Sequence, residues 1–334
     1  MKKIKKYFDE AVEKKASDIL LANGEKPFIR VHGDLINLEE KALGKKELEL
    51  ELMTLLNPEQ KKKFEKELEL DFSYEYNKNR FRVNYHYQEG GVAMSGRLIP
   101  ANIPSPEEIK LEENLLDLVN LDSGLVLIVG ATGNGKSTTI ATILEEINKT
   151  KKQHIITIED PIEFMFESKK SMIEQREIGI DTKSFDNALK HVLRQNPDII
   201  FLGEMRDPET IATALTAAET GHLVFSTLHT FSAAEAIERI VDVFEGAKQK
   251  QVLVQLSSVL RVVVAQRLIK AKTGKQVVAR EILVNNSAIA NMIKENNLSQ
   301  IYSAIQTGAK DGMKTMDSSI KELIKNNEID EIEK

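Results

Sequence analysis

Eight residues constrain this chain more than any others: Gly130-Ala131-Thr132-Gly133-Asn134-Gly135-Lys136-Ser137, set between the apolar run Gly124 to Val129 and a helix-length stretch that starts near Lys136. The spacing fits G-x-x-x-x-G-K-[ST], and a strand before it with a helix after it is the context in which that pattern cradles phosphate. Glycines let the backbone turn its N–H groups inward, and the following helix adds a positive N-terminal dipole. Lys136 then neutralises the outer phosphates and the Ser137 hydroxyl ligates Mg²⁺. Gly130, Thr132, Gly133, Asn134, Gly135 and Thr138 complete the expected nucleotide contacts.

Such a loop demands a parallel sheet behind it, and three further runs supply one. Ile155 to Ile158, Ile199 to Leu202 and Leu223 to Ser226 are short and nearly continuous in apolar residues, as strands buried on both faces are. The N-terminal third has another texture. Pro27 to Leu38 reads strand, turn, strand; Phe72 to Tyr76 and Phe81 to Tyr87 alternate around Asn77-Lys78-Asn79 as a hairpin does. Two helical stretches lie between, Lys45 to Leu56 and one opening at Asn57-Pro58, where Asn57 caps and Pro58 suits the first helical position. Pro100, Pro104 and Pro106 mark an extended linker. With 334 residues, the expected division is a domain over 1–99, a linker over 100–112 and a domain over 113–334, with a polar tail from Lys325 that frays.

Composition excludes several classes. Forty-six Lys+Arg against 52 Asp+Glu leave a net charge of −6, which argues against coating nucleic acid through net charge. Zero cysteines remove disulfides, thiol catalysis and cysteine-based zinc sites. The basic start Met1 to Lys6 runs into Tyr7-Phe8-Asp9-Glu10 instead of an apolar stretch, so no secretory signal is expected, and no apolar run approaches membrane-spanning length.

Turnover needs acids beside the phosphates. Ile155 to Ile158 ends in Glu159-Asp160-Pro161-Ile162-Glu163, and Ile199 to Leu202 ends in Gly203-Glu204, both at strand carboxyl ends where ligands of open parallel sheets gather. His229 follows the fourth strand and is placed to sense a terminal phosphate; His222, at its start, reads as structural, while His32, His86, His154 and His191 show no paired metal-ligand spacing and read as structural or exposed. Arginines able to stabilise phosphoryl charge fall in two sets: Arg80, Arg82 and Arg97 on the first domain's strands, and Arg194, Arg206 and Arg239 in the second.

Taken in order, these segments resemble the PilT family of retraction ATPases within the type II/IV secretion ATPase superfamily. Gly130 to Ser137 matches its Walker A motif, Ile158 to Phe164 its Asp box, Leu193 to Asp198 with Gly203 to Asp207 its Walker B region, and Thr220-Gly221-His222 with Thr227 to Thr230 its His box. Ala16 to Leu21 with Pro27 to Asp34, and Gln300 to Gly308 with Gly312 to Asp317, resemble its opening and closing segments. The resemblance implies an α/β chain: a smaller PAS-like α+β domain followed by a RecA-like P-loop ATPase domain. It implies ATP and Mg²⁺, nucleotide between the domains, a homohexamer, and work on an inner-membrane pilus platform protein from the cytoplasmic side. It makes Glu163 the general base, Glu204 the organiser of Mg²⁺ and its waters, and Arg82 and Arg97 arginines facing the nucleotide.

Two departures stand out. Where retraction ATPases read A-I-R-N-L-I-R-E, this chain has Ala288-Ile289-Ala290-Asn291-Met292-Ile293-Lys294-Glu295, and Phe231 stands where the family commonly has Asn. Pilus-extension and type II secretion ATPases are the nearest alternative, but they typically carry a four-cysteine zinc subdomain and a longer N-terminal extension. A RecA-like DNA motor would call for a basic strip with interleaved aromatics, and Lys151-Lys152 and Lys169-Lys170 are isolated pairs. A nucleotide-binding regulator without turnover fits poorly with Glu163, Glu204 and His229 all present.

Overall fold

The computed structural model describes residues 2–31, 33–38, 41–77, 79–99 and 102–330. His32, Lys78, Pro100, Ala101 and the last four residues of the expected frayed tail lie outside the described residues. The chain divides into two compact units, residues 1–102 with 163–165, and residues 103–162 with 166–334.

In the first unit, β1 (Asp18–Leu21), β2 (Phe28–Val31), β3 (Asp34–Asn37), β4 (Glu69–Tyr76), β5 (Asn79–Gln88) and β6 (Gly91–Ile99) form one antiparallel sheet in the order β3-β2-β1-β6-β5-β4. Alternation sorts β5: Phe81, Val83 and Tyr85 are buried, while Arg82 and Asn84 occupy the opposite face. The helix at Lys2–Glu13 was not foreseen. Its Ile4, Tyr7, Phe8 and Ala11 recur at helical spacing and are buried, and the Phe8 ring packs on Tyr74, Tyr76 and Phe81. Lys5 and Lys6, part of the basic start, are less buried than the apolar residues beside them on this helix. Pro58–Glu67 is helical as expected, with a reciprocal capping box between Asn57 and Gln60.

In the second unit, β7 (Gly124–Val129), β8 (His154–Glu159), β9 (Met172–Glu177), β10 (Ile199–Leu202), β11 (Leu223–Leu228), β12 (Leu260–Lys270) and β13 (Gln276–Val284) lie in the order β13-β12-β7-β11-β10-β8-β9. All neighbours are parallel except β12 and β13. Along β7, Leu125, Leu127 and Val129 enter one core while Val126 and Ile128 enter another. That two-sided burial explains why this strand reads as an unbroken apolar run.

The tail also differs from expectation as far as Asp330. Ile329 is 1% exposed, the Glu328 carbonyl accepts the Lys272 N–H at 2.9 Å, and Lys110 pairs with the Glu328 carboxylate at 2.5 Å. One apolar side chain in a polar stretch suffices to dock it. Segment 109–112 is fastened from β13: the buried Arg280 guanidinium donates to the Ile109 and Lys110 carbonyls and pairs with Glu112 at 2.8 Å.

Candidate functional site: a phosphate loop ringed by strand ends

Strand β7 runs into the loop at Gly130, and the helix Lys136–Thr150 leaves it. Gly133 and Gly135 adopt φ of 81° and 75°, conformations that L side chains rarely enter. Gly130 has a further constraint: a Cβ there would lie 2.5 Å from the Gln266 carbonyl oxygen on β12. The loop is pressed against that strand. Leu268 N–H donates to Asn134 Oδ1 at 3.0 Å, Gln266 Nε2 donates to the Asn134 carbonyl at 2.7 Å, and Thr139 Oγ1 donates to Gln266 Oε1 at 3.0 Å. Gln266 was not singled out from sequence, although a polar residue closing the apolar run Val262 to Ala265 was the available signal.

No described side chain caps the helix at its start, and its first turn carries no acid. Helices opening at Phe185, Pro208, Ala233, Ser287 and Met316 each have a side-chain cap. A helix start with no side-chain cap and no acid in its first turn suits a bound phosphate. Lys136 is 7% exposed and its Nζ donates to the Gly130 and Ala131 carbonyls at 2.7 and 3.1 Å. Ser137 and Thr138 are half-buried beside it, and Thr132 is exposed.

Around the loop stand the ends of β10 and β11. Glu204 follows β10, with Oε2 2.6 Å from Arg206 Nε and 3.5 Å from His229 Nε2. His229 Nδ1 lies 3.5 Å from Lys136 Nζ and 3.4 Å from Thr132 Oγ1. Burial, and then the Lys136 ammonium, lower the His229 pKa below that of an ordinary imidazole, which favours the neutral ring. Two hydroxyls lock these strand ends together: Ser226 Oγ donates to the Leu202 carbonyl at 3.0 Å and Thr227 Oγ1 to the Gly203 carbonyl at 2.6 Å. His222 sits at the far end of β11 against the Ala217 carbonyl at 3.0 Å.

The second acidic segment is arranged differently. Glu159, at the end of β8, is buried and accepts from Thr157 Oγ1 at 2.6 Å, while Glu177 on β9 accepts the Ile162 N–H at 3.2 Å and so holds the turn. Glu163 falls in the short segment grouped with the first unit.

Within that first unit, Arg82 lies opposite Arg97, Arg97 opposite Asp18, and Asp18 opposite Arg30. Asp18 Oδ1 receives Arg97 Nε at 2.9 Å and its Oδ2 lies 3.7 Å from Arg30 Nε. Arg82 and Arg97 are exposed. In sequence Asp18 and Arg30 stand out only as part of an opening segment, because strand register, which sets them in one row with Arg97, is invisible there.

A family model described as type II/IV secretion system protein matches residues 1–333. The chain belongs to this family. Among relatives of this secretion ATPase, the type IV pilus retraction ATPase PilT of Pseudomonas aeruginosa is 47% identical over 310 residues, 92% of this chain and 90% of that one. A twitching motility protein of Neisseria gonorrhoeae is 47% identical over 301 residues, 90% of this chain and 80% of the relative. A crystal structure of the pilus retraction motor PilT with bound ADP superposes with a TM-score of 0.92 at 44% identity, covering 98% of this chain and 94% of that one. The RecA-like domain and the PAS-like N-terminal domain are those of the secretion ATPase fold.

Proposed function

We propose that this secretion ATPase is a Mg²⁺-dependent motor that works as a homohexameric ring and powers type IV pilus retraction. The observation that carries the reading is the uncapped, glycine-shaped phosphate loop with Glu204 and His229 at its rim, in a chain 44% identical to a retraction motor with bound ADP. ATP phosphates seat on the N–H groups of the loop and first helical turn, and Lys136 exchanges its carbonyl partners for phosphate oxygens. Among the described residues no cluster of three His, Cys, Asp or Glu could hold a metal. Mg²⁺ takes most of its ligands from phosphates and water, so Ser137 and Glu204 match the donor set it needs. When bound, it neutralises charge on the transferred phosphoryl group.

Glu163 accepts the proton of the attacking water, Glu204 holds the waters around the metal, and neutral His229 reads the terminal phosphate by hydrogen bonding. Arg82 and Arg97 stabilise phosphoryl charge as the first unit turns against the second. The ion pair of Arg97 with Asp18 supports this role for Arg97: a guanidinium held by a carboxylate on its own sheet is oriented before it meets an anion. Among the described residues no helix is long and apolar enough to cross a membrane. Force is passed to a pilus platform protein of the inner membrane from the cytoplasmic side, as the relation to a pilus retraction ATPase supports. Ala290 and Lys294 lie on the helix Ser287–Lys294, whose Ile289 and Ile293 are buried. The apolar face that docks this helix is kept despite the two lost arginines.

Two measurements test the reading. Deleting the gene is expected to leave cells with more and longer pili, whereas bald cells would move the assignment to an extension ATPase. Sedimentation with ATP and Mg²⁺ is expected to show a hexamer, and fully active monomers would remove Arg82 and Arg97 from catalysis between subunits.

A further inference from the structure

Glu281 on β13 is a carboxylate in an apolar place. It is 4% exposed, and its neighbours on β13, Arg280 and Ile282, point to the other side of the sheet. Strand pairing sets it in one row with Ala265 on β12, Val129 on β7 and Leu228 on β11. Val129 is the last residue before the phosphate loop, and Leu228 the last before His229.

Two backbone amides converge on this carboxylate. Oε1 accepts the Ala233 N–H at 2.9 Å, and the Met316 amide favours the charged carboxylate. Ala233 opens the helix Ala233–Asp242 and Met316 opens the helix Met316–Lys325, so the charge faces two positive helix ends. Those ends offset part of the cost of burying a carboxylate, although burial still raises the Glu281 pKa above the ordinary carboxyl range. Neither helix depends on Glu281 as its cap, because Ser232 accepts the Glu235 N–H and Thr315 the Ser318 N–H.

What Glu281 adds is an anchor for the backbone between His229 and the helix. The Phe231 N–H is taken by Glu235 Oε2 at 2.7 Å and the Ala233 N–H by Glu281. The first bond is internal to the segment, and the second ties it to the sheet. Phe231 itself is 72% exposed and contributes little packing to hold the segment in place.

We infer that Glu281 is a positioning residue for ATP hydrolysis, holding the His229–Ser232 segment in register with the phosphate loop through the Ala233 amide. The inference rests on the ATPase reading above.

The test uses the full chain and compares kcat with the Kd for ADP. Glu281→Ala removes the acceptor of the Ala233 N–H. Ala233→Pro deletes the donor and keeps the carboxylate, at the buried first helical position where proline's fixed φ fits, after an extended Ser232 that suits a residue before proline. Both variants are expected to lose about ten- to a hundredfold in kcat, with ADP affinity changed less than about threefold. The double variant is expected to be no worse than Glu281→Ala alone, because both changes break the same bond. Glu281→Gln keeps an acceptor oxygen for Ala233 and is expected to recover kcat to within about threefold of wild type. Wild-type kcat in Glu281→Ala and Ala233→Pro overturns the inference, as do losses that multiply in the double variant or fall equally on ADP affinity. If Glu281→Ala does not fold, Ala233→Pro with its carboxylate intact decides alone. A wild-type chain without ATPase activity defeats the reading beneath, and an active wild type with unaffected variants defeats only the role of Glu281.

Discussion

Lys136→Ala is expected to lower ATP turnover by about a hundred- to a thousandfold, the scale of losing one preorganised donor to developing phosphoryl charge. The loss should be chemical and not structural. Alanine is the best helix former, Lys136 opens the helix Lys136–Thr150, and the loop stays pinned to β12 through Asn134 and Gln266. Phosphate release measured beside a thermal melt checks both halves, and undiminished activity in a folded variant would sink the site. A second readout follows from charge. The Lys136 ammonium helps hold the His229 pKa down, so in Lys136→Ala the imidazole should titrate at higher pH. Proton transfer at His229, followed by NMR, should move upward in that variant and not in one remote from the loop.

Glu204→Gln is expected to keep nucleotide binding while hydrolysis falls by about a hundredfold or more, the usual weight of a positioned acid or base. Glutamine preserves the volume and one acceptor beside Arg206 and His229, so the change removes charge with little disturbance of packing. Glu163→Gln is the comparison. If Glu163 is the base and Glu204 the metal organiser, raising the Mg²⁺ concentration should rescue part of the Glu204→Gln loss and none of the Glu163→Gln loss. Normal kcat in both variants would remove both carboxylates from the mechanism. The Glu204 charge also raises the His229 pKa, so Glu204→Gln should move the imidazole titration downward, opposite in sign to Lys136→Ala.

Much of the second unit was legible because its signals are local. A strand buried on both faces must be apolar at consecutive positions, as β7, β10 and β11 are. A phosphate loop must carry glycines where φ turns positive, as at Gly133 and Gly135. The helix Lys2–Glu13 was equally local, with Ile4, Tyr7, Phe8 and Ala11 on one face, yet the basic residues between them masked the period. Strands β9 and β13 lie at the sheet's edges, where a mixed polar pattern such as Met172 to Glu177 carries no clear strand signal.

The sequence by itself determined the chemistry on offer: a nucleotide loop, acids and a histidine at strand carboxyl ends, no cysteine, and motifs in the order of the secretion ATPases. Each of these depends on residue types at short spacing, which a linear chain displays in full. Only the tertiary structure decided which of them meet. It set His229 between Lys136 and Glu204, gave Asp18 to Arg97, fastened the loop tip to Gln266 and placed the Glu281 carboxylate on the Ala233 amide. Partners 25 to 132 residues apart are joined by strand order and register, and those follow from burying the whole sheet at once, a property that no local segment carries.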